Sequence, residues 1–168
     1  MKVIVDSSSV INLFNADALK LFCRLARCEF LIPPLVFGEC APSCASSLLE
    51  LRDEGCVEFL NDTEIDADRY LELLGRYSLG AGETECIAAS VDNDFRVCCD
   101  DRKAREAAAE MIGQDRVLGT VRLLRWCVED EIADCGEAFR LFGEMKGKGG
   151  FLPNTPQAFF CAGDREGA

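Results

Sequence analysis

The chain has no histidine at all, one tryptophan and five prolines among its 168 residues. Without histidine, neither an imidazole general base nor a histidine-ligated metal centre is available, so acid–base work falls to carboxylates, thiols or a bound ion. Long apolar runs are also missing. The opening MKVIVDSSSV is interrupted at Asp6, too early for the apolar core of a secretory leader, and no later stretch reaches membrane-spanning length. The expectation is a cytoplasmic protein with no membrane partner.

Positive charge is scarce as well. Thirty Asp and Glu stand against eighteen Lys and Arg, a formal net charge of −12. Such a balance argues against gripping nucleic acid through an overall positive field. Cysteine, by contrast, is plentiful: there are eleven, an odd number. Cys23, Cys86, Cys98, Cys99 and Cys127 lie inside apolar patterns, as small buried hydrophobes do, which reads as a reducing compartment. Cys40 and Cys44 have zinc-ligand spacing but no matching second pair, so packing is the preferred account.

What remains is one domain with a respectable core: 49% of the residues are hydrophobic and no composition shift marks a boundary. Lys2 to Val5 is a β-branched run followed by Asp6-Ser7-Ser8-Ser9, a strand leading into a helix N-cap. Ala18, Leu19, Phe22, Cys23 and Leu25 recur at helical spacing. Phe30-Leu31-Ile32 predicts a second strand, stopped by Pro33-Pro34, which open a helix carrying Glu39. Further strands are predicted at 56–60, 95–99 and 117–118, with helices over 65–77, 83–91, from near Asp101, over 121–128 and over 133–145. This alternation predicts an α/β fold of three layers, a mostly parallel central sheet with helices on both faces. Residues 1–150 form the expected domain, and 151–168 a C-terminal tail that is either disordered or clipped to another surface.

In such sheets ligands bind beyond the carboxyl ends of the strands. Asp6 falls there after the first strand and Asp100-Asp101 after the fourth. Glu83 and Glu85 open a helix, and Glu39 sits in an apolar one. Converging carboxylates are what a hard cation such as Mg²⁺ or Mn²⁺ requires, and a bound cation lowers the pKa of its water without any histidine. Each acid also has a structural account. Asp6 and Asp101 are equally readable as N-caps, Glu83 and Glu85 as first-turn acids favoured by the helix dipole, and Glu39 as an exposed position on its helix.

Together, VIVDSSSVINL, IPPLVFGE, GAGETECIAAS, VCCDDRKAR and LGTVRLL, spread over about residues 1–128, resemble the PIN-domain ribonucleases, the group that includes VapC-like toxins of prokaryotic toxin–antitoxin pairs. The resemblance implies a PIN-like fold and metal-dependent hydrolysis of RNA phosphodiester bonds by water, leaving 5′-phosphate and 3′-hydroxyl ends. It implies that Asp6, Glu39, Glu85 and Asp101 are catalytic and hold Mg²⁺ or Mn²⁺, with Asp100 as an alternative or additional ligand. Ser7, Glu83 and Thr120 take supporting positions, Ser8 shares the hydroxyl position after the first acid, and Arg102, Lys103 and Arg105 are candidates for steering the RNA backbone. It further implies a homodimer and a small antitoxin partner. The rivals are a catalytically inactive protein of the same fold that binds nucleic acid or protein, and a phosphoryl-transfer enzyme of another α/β family. The latter expects a second aspartate where Ser8 stands. A dinucleotide site at GAGE lacks the preceding strand and the full glycine spacing.

Overall fold

The computed structural model describes residues 1–61 and 65–161. Five strands, β1 (Lys2–Val5), β2 (Glu29–Ile32), β3 (Val57–Phe59), β4 (Arg96–Cys98) and β5 (Val117–Leu118), form one sheet in the order β3-β2-β1-β4-β5. Every neighbouring pair is parallel, with Val3 opposite Phe30 on one side and Arg96 on the other. A parallel sheet covered on both faces demands apolar side chains on both sides of each strand. Val3, Ile4, Val5, Leu31, Ile32, Val97 and Cys98 meet that demand and are all essentially inaccessible to solvent. Each large aliphatic side chain buried in this way contributes roughly 1.5–3 kcal/mol.

The helices are α1 (Ser7–Asn15), α2 (Leu19–Phe22), α3 (Pro34–Glu39), α4 (Pro42–Asp53), α5 (Ala67–Tyr77), α6 (Ala81–Val91), α7 (Arg102–Ile112), α8 (Thr120–Glu129) and α9 (Cys135–Gly147). They pack as two groups, α3, α5, α6 and α7 together and α1, α2, α8 and α9 together. The result is a three-layer α/β fold. Several begin at caps visible in the sequence: Asp6, Asp66, Asp101 and Asp134 each accept a backbone N–H from the first turn of the helix that follows. None of the described helices is long and apolar enough to cross a membrane.

Two stretches differ from expectation. The helical spacing from Ala18 to Leu25 yields only the single turn α2, because the chain tightens into i→i+3 bonds from Arg24 to Leu21 and from Leu25 to Phe22. Helix α4, for which no element is predicted, packs Cys44, Leu48 and Leu51 into the core, with Pro42 at its first turn. Its polar residues mask this i, i+4, i+7 pattern.

The segment following α9 is anchored as far as residue 161. Leu152 and Phe160 are buried, and the Phe160 ring lies 5.5 Å from that of Phe142. Arg125 donates to the Phe159 carbonyl (3.0 Å), and Cys135 and Cys161 are joined as a disulfide. That pair stands apart from the five cysteines expected in the core, which are free thiols. Residues 162–168 of the expected tail lie outside the described residues.

Candidate metal centre

All strands run the same way, so their carboxyl ends share one edge of the sheet. Between β1 and β4 the strand order reverses: β2 and β3 lie on one side of β1, β4 and β5 on the other. At such a switch point the loops diverge and leave a crevice. Asp6 follows β1 directly, and its N–H donates to the Cys98 carbonyl of β4 (2.9 Å). Asp100 and Asp101 leave β4 beside it. Pro33 and Pro34 leave β2, and Gly119 and Thr120 leave β5, along the same edge.

Asp6 is 1% exposed. Its Oδ2 accepts from the Ser8 N–H (3.1 Å), the Ser8 hydroxyl (2.6 Å) and the Cys99 thiol (3.4 Å), so it caps α1 as the sequence allows. The other oxygen, Oδ1, is buried with no hydrogen-bond partner. Burial pushes the Asp6 carboxyl above the usual carboxylate range, against the hydrogen bonds from Ser8, Cys99 and Ser7 that pull it down. A cap needs only one oxygen. The second is left desolvated, at a cost on the order of 1–3 kcal/mol for an unsatisfied buried acceptor.

Glu85 is the other buried acid among the described residues, 4% exposed. Its Oε2 accepts the Leu35 N–H (2.8 Å). The reason is local: α3 begins at Pro33-Pro34, its N-cap residue supplies no side-chain acceptor, and an orphan amide of that first turn is met from α6 instead. Glu39, the last residue of α3, is exposed yet fixed at both oxygens, accepting from the Ser7 hydroxyl at Oε2 (2.6 Å) and from the Gly82 N–H at Oε1 (2.9 Å). A Cβ at position 82 would stand 2.8 Å from Glu39 Oε2 and 3.0 Å from its Cδ, so glycine there lets the carboxylate sit against the backbone of α6.

Glu83 accepts from the Gly80 N–H (2.8 Å) and completes a capping box at the start of α6. Its carboxyl is pushed up by burial, opposed by that hydrogen bond, and pushed further by the negative charges of Asp6, Asp101 and Glu39. The acids therefore feel one another across four separate elements.

Adjacent Asp100 and Asp101 have different settings. Asp100 Oδ1 accepts the Thr120 N–H (2.9 Å), and its Oδ2 accepts the Thr120 hydroxyl (2.8 Å) and the Asn12 amide (2.8 Å). It ties β4 to α8 and α1 with both oxygens occupied. Asp101 is exposed and uses Oδ1 to cap α7 through the Ala104 N–H (2.9 Å), while Oδ2 accepts no hydrogen bond among the described residues. Thr120 belongs to the Asp100 bracket, a role visible beforehand only as a Gly-Thr turn. Asn12, buried and equally part of that bracket, gave no sign in the sequence: an asparagine in a helix reads as surface.

The basic run after Asp101 is partly engaged. Arg102 pairs with Glu106 (2.8 Å) and Lys103 donates to the Ser78 carbonyl (2.9 Å). Arg105 donates to the carbonyls of Cys99 (3.0 Å) and Leu118 (2.5 Å). The Cys40 thiol donates to the Val36 carbonyl (3.3 Å), and Cys44 is buried in the core; both are free thiols. Among the described residues no three cysteine or acidic side chains stand close enough together to form a finished metal cage. What the edge offers is hard oxygen donors, one of them a buried oxygen without a hydrogen-bond partner, the donor chemistry that suits a divalent cation.

No match is found among the curated proteins or among the solved structures. A family model described as a PIN domain matches residues 2–157. PIN domains have a nuclease-type fold and generally use divalent metal ions. The match takes in all five strands and every acid on the carboxyl edge, and the chain belongs to the PIN-domain family.

Proposed function

We propose that this protein is a Mg²⁺- or Mn²⁺-dependent endoribonuclease of the toxin-like kind, working in the cytoplasm as a homodimer held in check by a small antitoxin. The observation that carries the catalytic reading is Asp6 Oδ1: a buried carboxylate oxygen without a partner, on the switch-point edge of a PIN domain, within the electrostatic reach of other acids. Asp6, Glu39, Glu85 and Asp101 would hold the cation, which supplies an acidified water and offsets charge on the scissile phosphate. Ser7 and Gly82 fix the Glu39 carboxylate, and Ser8 fixes Asp6 through Oδ2, leaving Oδ1 without a hydrogen-bond partner. Glu83 closes the N-terminus of α6 through the Gly80 N–H and lies in the field of Asp6, Asp101 and Glu39, which with burial pushes its carboxyl above the usual range. Asp100 keeps β4, α1 and α8 in register behind them.

Incubation of the protein with end-labelled RNA and Mn²⁺, repeated with excess chelator, tests the reading. Cleavage should require the ion and disappear in Asp6→Ala and Asp101→Ala. Retained cleavage in both variants removes those residues from the chemistry.

A second reading is a PIN fold that binds nucleic acid or protein without cutting. It is favoured by the lack of a finished cage of three ligands among the described residues. It predicts RNA binding that is indifferent to chelator and no cleavage with either ion.

A further inference from the structure

On the same rim, beyond Asp100, lies a cleft of about 800 Å³ between the N-terminal turns of α7 and α8 and the segment 151–159. Phe151 borders it and is 95% exposed, whereas its neighbour Leu152 is buried. The rest of this wall is firm: Arg125 holds the Phe159 carbonyl and Lys146 holds Asn154 (2.7 Å). Pro153 and Phe159 add apolar surface beside Phe151.

The opposite wall carries Arg102, Arg105 and Arg122. Arg102 pairs with Glu106, whereas Arg105 and Arg122 have no acidic partner among the described residues. Arg122 is exposed, and its guanidinium makes no hydrogen bond or ion pair among the described residues, only its backbone N–H being engaged, with the Gly119 carbonyl. Arg105 engages only backbone carbonyls, through Nη1. Gly119 lets Arg105 lie this close, since a Cβ there would stand 2.7 Å from Nη1. The acid in the wall, Asp100, has its oxygens occupied by Thr120 and Asn12.

We propose that this cleft seats one unpaired nucleotide of a single-stranded RNA, the base stacked on Phe151 and the adjoining phosphate held by Arg122 and Arg105. The proposal rests on the ribonuclease reading and supplies what the net charge withholds, a local site for an anionic chain. An exposed aromatic ring beside guanidinium groups without acidic partners is the pairing that single-strand binders use, because every base has a face to stack and every step a phosphate to neutralise. The volume lies within the range of about 300–1,000 Å³ usual for small-ligand sites. A duplex keeps its base faces hidden and cannot use Phe151. Asp100 borders the cleft and is the chain neighbour of Asp101, so a strand seated in it lies on the side of the sheet edge that carries the acids.

The test is fluorescence anisotropy of a labelled single-stranded oligoribonucleotide with the full chain in excess chelator, where no hydrolysis occurs. Phe151→Ala should weaken binding roughly 5- to 100-fold and Phe151→Tyr should restore it. Arg122→Ala should flatten the slope of log affinity against log salt by about 0.7. Both side chains are exposed, so the melting temperature should not move, and a drop in it for both variants would count against the site. Absence of RNA binding by the parent protein, unchanged binding in both variants, equal competition by duplex RNA, or displacement of the RNA by poly-glutamate would each overturn the proposal, the last pointing to an acidic peptide instead. Cleavage with Mn²⁺ is scored separately: binding that depends on Phe151 without any cleavage would sink the nuclease reading and leave the cleft standing.

Discussion

Two stretches of the same rim handle charge in opposite ways. At the switch point, Asp6 and Glu85 are drawn out of water, with Asp6 Oδ1 left unpartnered, and the charges of Asp6, Asp101 and Glu39 reach Glu83. Beside α8 on the cleft wall, Arg122 stays in solvent and half-buried Arg105 engages only backbone carbonyls, neither answered by an acid among the described residues. The acidic stretch bears the cost of the desolvated Asp6 oxygen, which a cation held there as proposed would offset. The basic stretch needs no ligand to be stable. The difference teaches that a net charge of −12 describes the whole surface and says little about where a polyanion lands.

The most direct way to break this contrast is to neutralise Asp6. Asp6→Asn keeps an acceptor for Ser8 and turns the orphan oxygen into a donor facing the remaining acids. Cleavage should fall by roughly 100-fold or more, since even residues that merely orient metal ligands are worth about 10- to 100-fold. The melting temperature of the metal-free protein should rise at the same time. A fall in both would mean that Asp6 serves the fold alone.

Proton linkage sharpens the same point. Burial raises the Asp6 pKa in the fold above its value in the unfolded chain. The native state therefore binds a proton more tightly, and the contribution of this group to stability declines as pH rises from the unfolded carboxylate range through the raised native value. Mn²⁺ needs the ionised form, so the gain in melting temperature with Mn²⁺ should be small at low pH and larger at neutral pH. At about 100 times its dissociation constant the ion should add ~2.7 kcal/mol, or on the order of 5–10 °C for a chain of this size. A shift that is the same at both pH values, or none, would separate Asp6 from any ion.

Next in size is the comparison of neighbours. Asp100→Ala strips acceptors from Thr120 and Asn12 together and should cost roughly 2–4 kcal/mol in denaturant unfolding. Asp101→Ala loses a helix cap worth about 1 kcal/mol but should abolish cleavage. If the costs were reversed, Asp100 would be the ligand and Asp101 the structural residue.

Much of this was legible in the sequence, because parallel strands and their caps leave local marks. The Lys2–Val5 run, the Pro33-Pro34 stop and the Asp101 cap each occupy a few consecutive residues, and they set Asp6 and Asp101 at strand ends and Glu39 on the helix that follows the second strand. The parts that stayed hidden depend on distance along the chain. Asn12 and Asp100 are 88 residues apart, and nothing near either announces their bond. Helix α4 was obscured by the serines and charges among its core positions. The Cys135–Cys161 link brings together two cysteines with no distinguishing context. Whether Glu85 was a first-turn acid or a partner of another helix could be decided only once α3 was seen to begin without a side-chain cap.

The smallest change separates position from charge. Gly82→Ala adds one methyl group where Glu39 leans on the backbone of α6, and that methyl would stand 2.8 Å from Oε2. Glu39 is exposed and can swing away, so the fold should lose little, and alanine in a helix interior recovers roughly 0.5–1 kcal/mol of intrinsic propensity. The carboxylate, however, would give up its bond to the Gly82 N–H. All the acids remain, yet one of them is displaced. Cleavage should drop roughly 10-fold or more with an unchanged melting temperature, and added Mn²⁺ should recover part of the loss if the defect is weaker ion binding. Full activity in Gly82→Ala would show that the placement of Glu39 is immaterial, and that the acidic stretch works through Asp6 and Asp101 without it.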